Sequence, residues 1–114
     1  MAKNDYFVVI YRILIYLYGC MKAGVKPSLE YLHYDTDQFP VNEAYWNTIL
    51  TDLVEQGYIR NVPLVPVIGN THKLARLTED VMITPAGIEF LNDNSTIEKA
   101  KQFLKDIKAI VPGM

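Results

Sequence analysis

The stretch from Tyr58 to Leu77 contains Arg60, Lys73 and Arg76 and no acidic residue. Cations free of neighbouring carboxylates suit phosphate, because Lys and Arg contacts supply essentially all non-specific affinity for DNA. His72, next to Lys73, adds one more donor. Upstream, Asn47, Thr48 and Thr51 fall on the outward side of a helical pattern, and Asn and Thr can hydrogen-bond base edges. Their own helix argues the other way. Residues 43–57 hold Glu43, Asp52 and Glu55 with neither Lys nor Arg, and a negative helix is repelled by a phosphate-lined groove. A structural helix with a solvated acidic face is the plainer reading there. Three cations are also what an ordinary surface hairpin carries.

Other chemistries find less support. "HYDTD" offers His33, Asp35 and Asp37, but a calcium loop also needs a third oxygen ligand, a glycine and a distal glutamate at fixed spacing. Polar side chains in such a loop more commonly satisfy its backbone. Cys20 is the only cysteine, which rules out a disulfide framework or a cysteine-based zinc site within one chain. Neither histidine sits in a nucleophile motif, and there is no glycine-rich phosphate loop. The expectation is a protein that is not an enzyme and uses no metal, cofactor or evident small-molecule ligand.

The elements that would position these residues follow from length and pattern. The chain has 114 residues, 50% hydrophobic and 21% charged, which suits one globular domain. Its formal net charge of -2 gives no overall attraction to nucleic acid. A lone thiol and the lack of a recognisable signal peptide suggest the cytoplasm. Within "DYFVVIYRILIYLYGCM", Asp5 to Met21, the apolar run from Tyr6 to Tyr18 is too short for a membrane span, with Arg12 near its middle. A helix fits, with Ile10, Leu14, Leu17 and Met21 on one side and a narrow polar face at Asp5, Arg12, Gly19 and Ala23. So apolar a helix is expected at the centre of the domain. Val8, Ile15 and Tyr16, beside the polar face, are interface candidates if one subunit leaves them uncovered.

Ser28 is expected to cap a short helix through His33, followed by a loop to Val41. Asn42 caps the next helix, where Trp46, Ile49, Leu50 and Leu53 make one apolar side and Gly57 ends it. "YIRNV" suits a strand. Pro63 and Pro66 allow only an edge strand or arm, Gly69 and Asn70 a turn, and Val81 to Ile83 a further strand. Thr84 followed by Pro85 opens another helix, and Ser95 with Glu98 opens a last one lined by Ile97, Ala100, Leu104, Ile107 and Val111. The reading is an α+β, mainly α, winged helix-turn-helix with additional C-terminal helices. It makes one domain over 1–114, its core at about 4–84 and its C-terminal helices at about 85–111.

"LVEQGYI", "ITPAGIEFLNDNS" and "KAKQFLKDIKAIVPG" resemble the YjcQ-like family of small bacterial and phage-related proteins. The similarity is clearest from Asn42 to Gly113, and the double-proline arm departs from the family pattern. The resemblance implies a winged helix with a C-terminal helix, and a DNA-binding role by analogy of fold. On this reading the partner is double-stranded DNA, contacted through the basic arm and the 43–56 helix. The alternative is a protein-interaction module that keeps the fold, working as a homodimer or with another protein.

Overall fold

The computed structural model describes residues 5–66 and 73–93, and within them the long apolar run is a single helix, α1 (Asp5–Ala23). By length and composition Tyr6–Ala23 could cross a membrane. Here it is a core element, with Val8, Val9, Ile10, Ile13, Leu14 and Leu17 all buried.

Helix α2 (Glu43–Glu55) begins as its sequence requires. Asn42 accepts a hydrogen bond from the Tyr45 amide at 2.8 Å, satisfying one of the orphan donors of the first turn. Trp46, Ile49, Leu50 and Leu53 are buried on one side, as the spacing predicts. The chain leaves through Gly57 at φ 76, a left-handed conformation that costs glycine nothing, and enters strand β1 (Ile59–Arg60).

A long antiparallel hairpin follows, in two rungs. β1 pairs with β4 (Met82–Ile83) in the register Ile59 to Ile83. Farther out, β2 (Leu64–Pro66) pairs with β3 (Lys73–Ala75), Leu64 opposite Ala75. The registers leave three residues between the rungs on the outgoing side (61–63) and six on the return (76–81). Asn61, at φ 65, turns the backbone there, and its amide donates to the Asp80 carbonyl at 2.9 Å. The extra return residues are gathered by Thr78, whose hydroxyl accepts from the Asp80 amide and whose carbonyl accepts from the Val81 amide, each at 3.2 Å. Pro63 and Pro66 are tolerated because this is an edge. The expected turn at Gly69 and Asn70 lies outside the described residues.

Helix α3 (Pro85–Asn92) starts as expected. Thr84 accepts from the Gly87 amide at 3.1 Å, with Pro85 at the first helical position. Gly87 has a second reason to be glycine. A Cβ there would run into the Tyr58 carbonyl and come within 2.7 Å of Ile83, so only glycine lets α3 lie this close to the hairpin. The fold is α+β and mainly helical, with three helices and two small antiparallel sheets among the described residues. The expected last helix, with its Ser95 and Glu98 box, falls outside them.

Two expectations need correction. Residues 28–33 do not form a helix; a single turn closes from the Leu32 amide to the Ser28 carbonyl at 3.1 Å. Tertiary packing overrides the local cap signal. Tyr31 is drawn between Tyr16 (centroids 4.4 Å) and Phe39 (5.5 Å), Phe39 in turn meets Trp46 (5.0 Å), and Asp35 at φ 57 turns the chain back. This stretch also corrects Arg12, which is no part of a solvated face but 3% exposed. Its Nη1 donates to the Gln38 carbonyl, while Nε and Nη2 are buried without a hydrogen-bond partner. Burial lowers the pKa of the guanidinium, and nearby Tyr31 opposes that shift.

Candidate nucleic-acid interface

The residues singled out for DNA come from two elements that touch, since β3 packs along α2 and buries Ala75 between them. On α2, Thr48 is exposed, while Asn47 and Thr51 are half-buried. Both threonine hydroxyls are committed to their own helix. Thr48 donates to the Ala44 carbonyl at 3.0 Å and Thr51 to the Asn47 carbonyl at 2.8 Å. That bond uses the hydroxyl proton and leaves only lone pairs for a ligand, so each threonine can accept from a base edge but not donate to it.

The acids of α2 are differently placed. Glu43 is exposed in the first turn, where the helix dipole favours it, and Glu55 is exposed in the last, where the dipole does not. Asp52 is half-buried and accepts from the Tyr6 hydroxyl at 2.6 Å. That bond ties α1 to α2. Burial first, then the hydrogen bond and charge of Asp52, push the Tyr6 phenol well above the usual tyrosine range. Burial likewise raises Tyr16 and Tyr31.

Arg60, Lys73 and Arg76 are all exposed, and none has an ion-pair partner among the described residues; the pair seen there is Lys26 with Asp80, at 3.9 Å. The cations do not share one surface. Side chains alternate along a strand, so Lys73 shares the α2-facing side with Ala75, whereas Arg76 lies opposite with Leu74. The Arg76 amide still bonds to the Pro63 carbonyl at 3.0 Å, which keeps it in the ladder and fixes that alternation. His72 lies outside the described residues.

Of the interface candidates on α1, Val8 is covered within the chain at 2% exposure. Ile15 is open to solvent at 42%. Tyr16 is half-buried in the aromatic cluster, its hydroxyl accepting from the Ser28 amide at 2.8 Å. Among the described residues no three His, Cys, Asp or Glu side chains are grouped to hold a metal ion.

Sequence reasoning missed three features. The link between Tyr6 and Asp52 joins residues 46 apart, and no local pattern encodes it. The aromatic run Tyr16, Tyr31, Phe39 and Trp46 was visible only as an excess of aromatics. Arg12 carried a signal that could have been read, because a cation flanked on both sides by apolar residues is a candidate for burial as much as for a polar stripe.

No curated protein and no solved structure matches this chain. The family model described as YjcQ protein does match, over residues 11–110, from within α1 through the hairpin, α3 and beyond. The chain belongs to the YjcQ family.

Proposed function

We propose that this protein is a winged-helix DNA-binding protein of regulatory, phage-related type, acting in the cytoplasm and not as an enzyme. In this reading α2 is the recognition helix and the β2–β3 hairpin is the wing. The observation that supports it is the packing of β3 along α2, which brings the hairpin, with Lys73 on its α2-facing side, alongside the helix that carries Thr48. Arg60, Lys73 and Arg76 hold phosphate, with His72 as a further donor from the arm; Asn47, Thr48 and Thr51 face the groove. Phosphate contacts position such a protein and base contacts specify its site.

The test is a titration of fluorescent duplex DNA by anisotropy at two salt concentrations. Three phosphate contacts give a log–log salt slope of about -2.7, hence a roughly twentyfold loss of affinity between about 50 and 150 mM salt. Replacing Arg60, Lys73 and Arg76 together with glutamine should abolish binding. Absence of binding at about 50 mM salt, where counterion release is strongest, rules the reading out.

A second reading is favoured by one specific observation. Lys73 and Arg76 point to opposite sides of the hairpin, and α2 itself is acidic. A divided positive surface suits a protein partner or a second copy of the chain better than a duplex. Static light scattering tests the self-association version: a mass near twice 13.0 kDa supports it.

A further inference from the structure

At the end of the domain where α1 begins and α2 ends lies an open cleft of about 310 Å³ between them and α3. Its walls include Tyr6, Tyr58, Phe90 and the carboxylate of Asp52. The Tyr58 and Phe90 rings form a tilted pair at 4.8 Å, and Phe7 stands edge-on to Tyr6 at 5.4 Å. Asp52 is held in place because Tyr6 donates to its Oδ2 at 2.6 Å. A phenol is protonated at physiological pH, and burial with this carboxylate raises its pKa further, so Tyr6 remains the donor. Its other oxygen, Oδ1, shows no hydrogen-bond partner, and Asp52 has no ion-pair partner, among the described residues.

A carboxylate fixed in an aromatic-walled hollow selects by charge. An anion is repelled by Asp52 and by the acidic helix that carries it. A hard metal ion needs more oxygen ligands than one carboxylate supplies. An organic cation satisfies both kinds of wall, by ion pairing to the carboxylate and by attraction to the negative faces of the rings.

We infer that this cleft binds an organic cation, a substituted ammonium or guanidinium group, with Asp52 as counter-ion and Tyr6, Tyr58 and Phe90 as the aromatic wall. The site is independent of DNA binding and shares no residue with the phosphate-contacting set. The cation can come from outside or from the lysines that follow α3 in sequence, Lys99, Lys101, Lys105 and Lys108.

The experiment is an NMR titration of aromatic resonances in the full chain. The probes are choline chloride, methylguanidinium chloride and 3,3-dimethyl-1-butanol (the uncharged isostere of choline), with sodium chloride matching ionic strength. Saturable shifts of the Tyr6, Tyr58 and Phe90 signals are expected with the cations, and binding about tenfold weaker with the isostere. Asp52→Asn should weaken cation binding by about tenfold, and Phe90→Leu by a few-fold, as expected for one lost ring contact. Circular dichroism confirms that each variant remains folded. A chain with all four lysines changed to glutamine separates the sources. Tighter choline binding identifies the chain's own lysines as competitors; unchanged binding assigns the cleft to an external cation. Equal binding of choline and its isostere, or cation binding that D52N leaves untouched, overturns the inference.

Discussion

Among the described residues, two stretches lack long regular elements, 25–41 and the hairpin segments 61–66 and 73–81, and they are held differently. The first has no strand and no helix, yet it is fastened to the core by side chains: Leu32, Phe39 and Val41 are buried, and the Tyr31 ring is packed between Tyr16 of α1 and Phe39. The second, over 61–66 and 73–81, adds backbone pairing to its buried side chains, Val62, Ala75 and Val81. Irregular backbone is therefore a poor guide to looseness. Where side chains do the fastening, loss of one ring is felt by the whole domain. Where the ladder does it, loss of one half-buried side chain stays local.

The largest test of this contrast is Phe39→Ala. Phe39 is fully buried, so the variant should lose about 3–5 kcal/mol in denaturant unfolding. Leu64→Ala, at a half-buried hairpin position, should lose only about 1 kcal/mol. Equal losses would erase the distinction.

Asn61→Ala comes next, with a cost of about 1–2 kcal/mol, since alanine at φ 65 is strained and the bond to the Asp80 carbonyl is gone. Asn61→Gly keeps the backbone and loses only the hydrogen bond, so the difference between the two variants measures the strain. A glycine variant as unstable as the alanine one would place the whole effect in the side-chain bond.

Arg12→Met runs in the opposite direction. It removes a buried charge with two unpartnered nitrogens, at the expense of one bond to the Gln38 carbonyl. Burial outweighs that bond, and a gain of about 1 kcal/mol is expected by thermal or denaturant melting. A loss of several kcal/mol would show that Arg12, rather than the rings, fastens residues 25–41.

The smallest effect is confined to alkaline solution. Tyr6 has its pKa raised on folding, so its stabilising contribution is complete below about pH 10 and is lost as pH rises above that value. Tyr6→Phe should flatten the alkaline decline of stability without removing it, because Tyr16 and Tyr31 are raised as well. A decline identical to that of the parent chain would remove Tyr6 from the linkage.

Much of the framework was legible in the sequence, because it is written in local terms. The caps at Asn42 and Thr84, the apolar side of α2, the stop at Gly57 and the central place of α1 all follow from spacing within one or two turns. The helix expected at residues 28–33 failed for the complementary reason. Its Ser28 cap is local, but the contacts that pull Tyr31 out of a helix come from Tyr16 and Phe39. The candidate site was legible as a list of cations and not as a surface. Strand alternation decides that Lys73 and Arg76 part company, and it becomes readable only once the register of the outer rung is known. Gly87 shows the same limit. Nothing nearby in sequence says that a carbonyl from Tyr58 will occupy the space of its missing side chain.

The uneven break between the two rungs of the hairpin has a consequence for how freely the arm can vary. In an unbroken ladder, a one-residue change in length moves every side chain of that strand to the other face, all the way to the core. Here three residues face six, and the Asn61, Thr78 and Asp80 bonds gather the surplus before Ile59 and Ile83 are reached. The break acts as a clutch. The outer rung can be lengthened, shortened or replaced by a foreign hairpin while the inner rung keeps its register, which makes the arm the natural place to graft a new contact surface onto this domain.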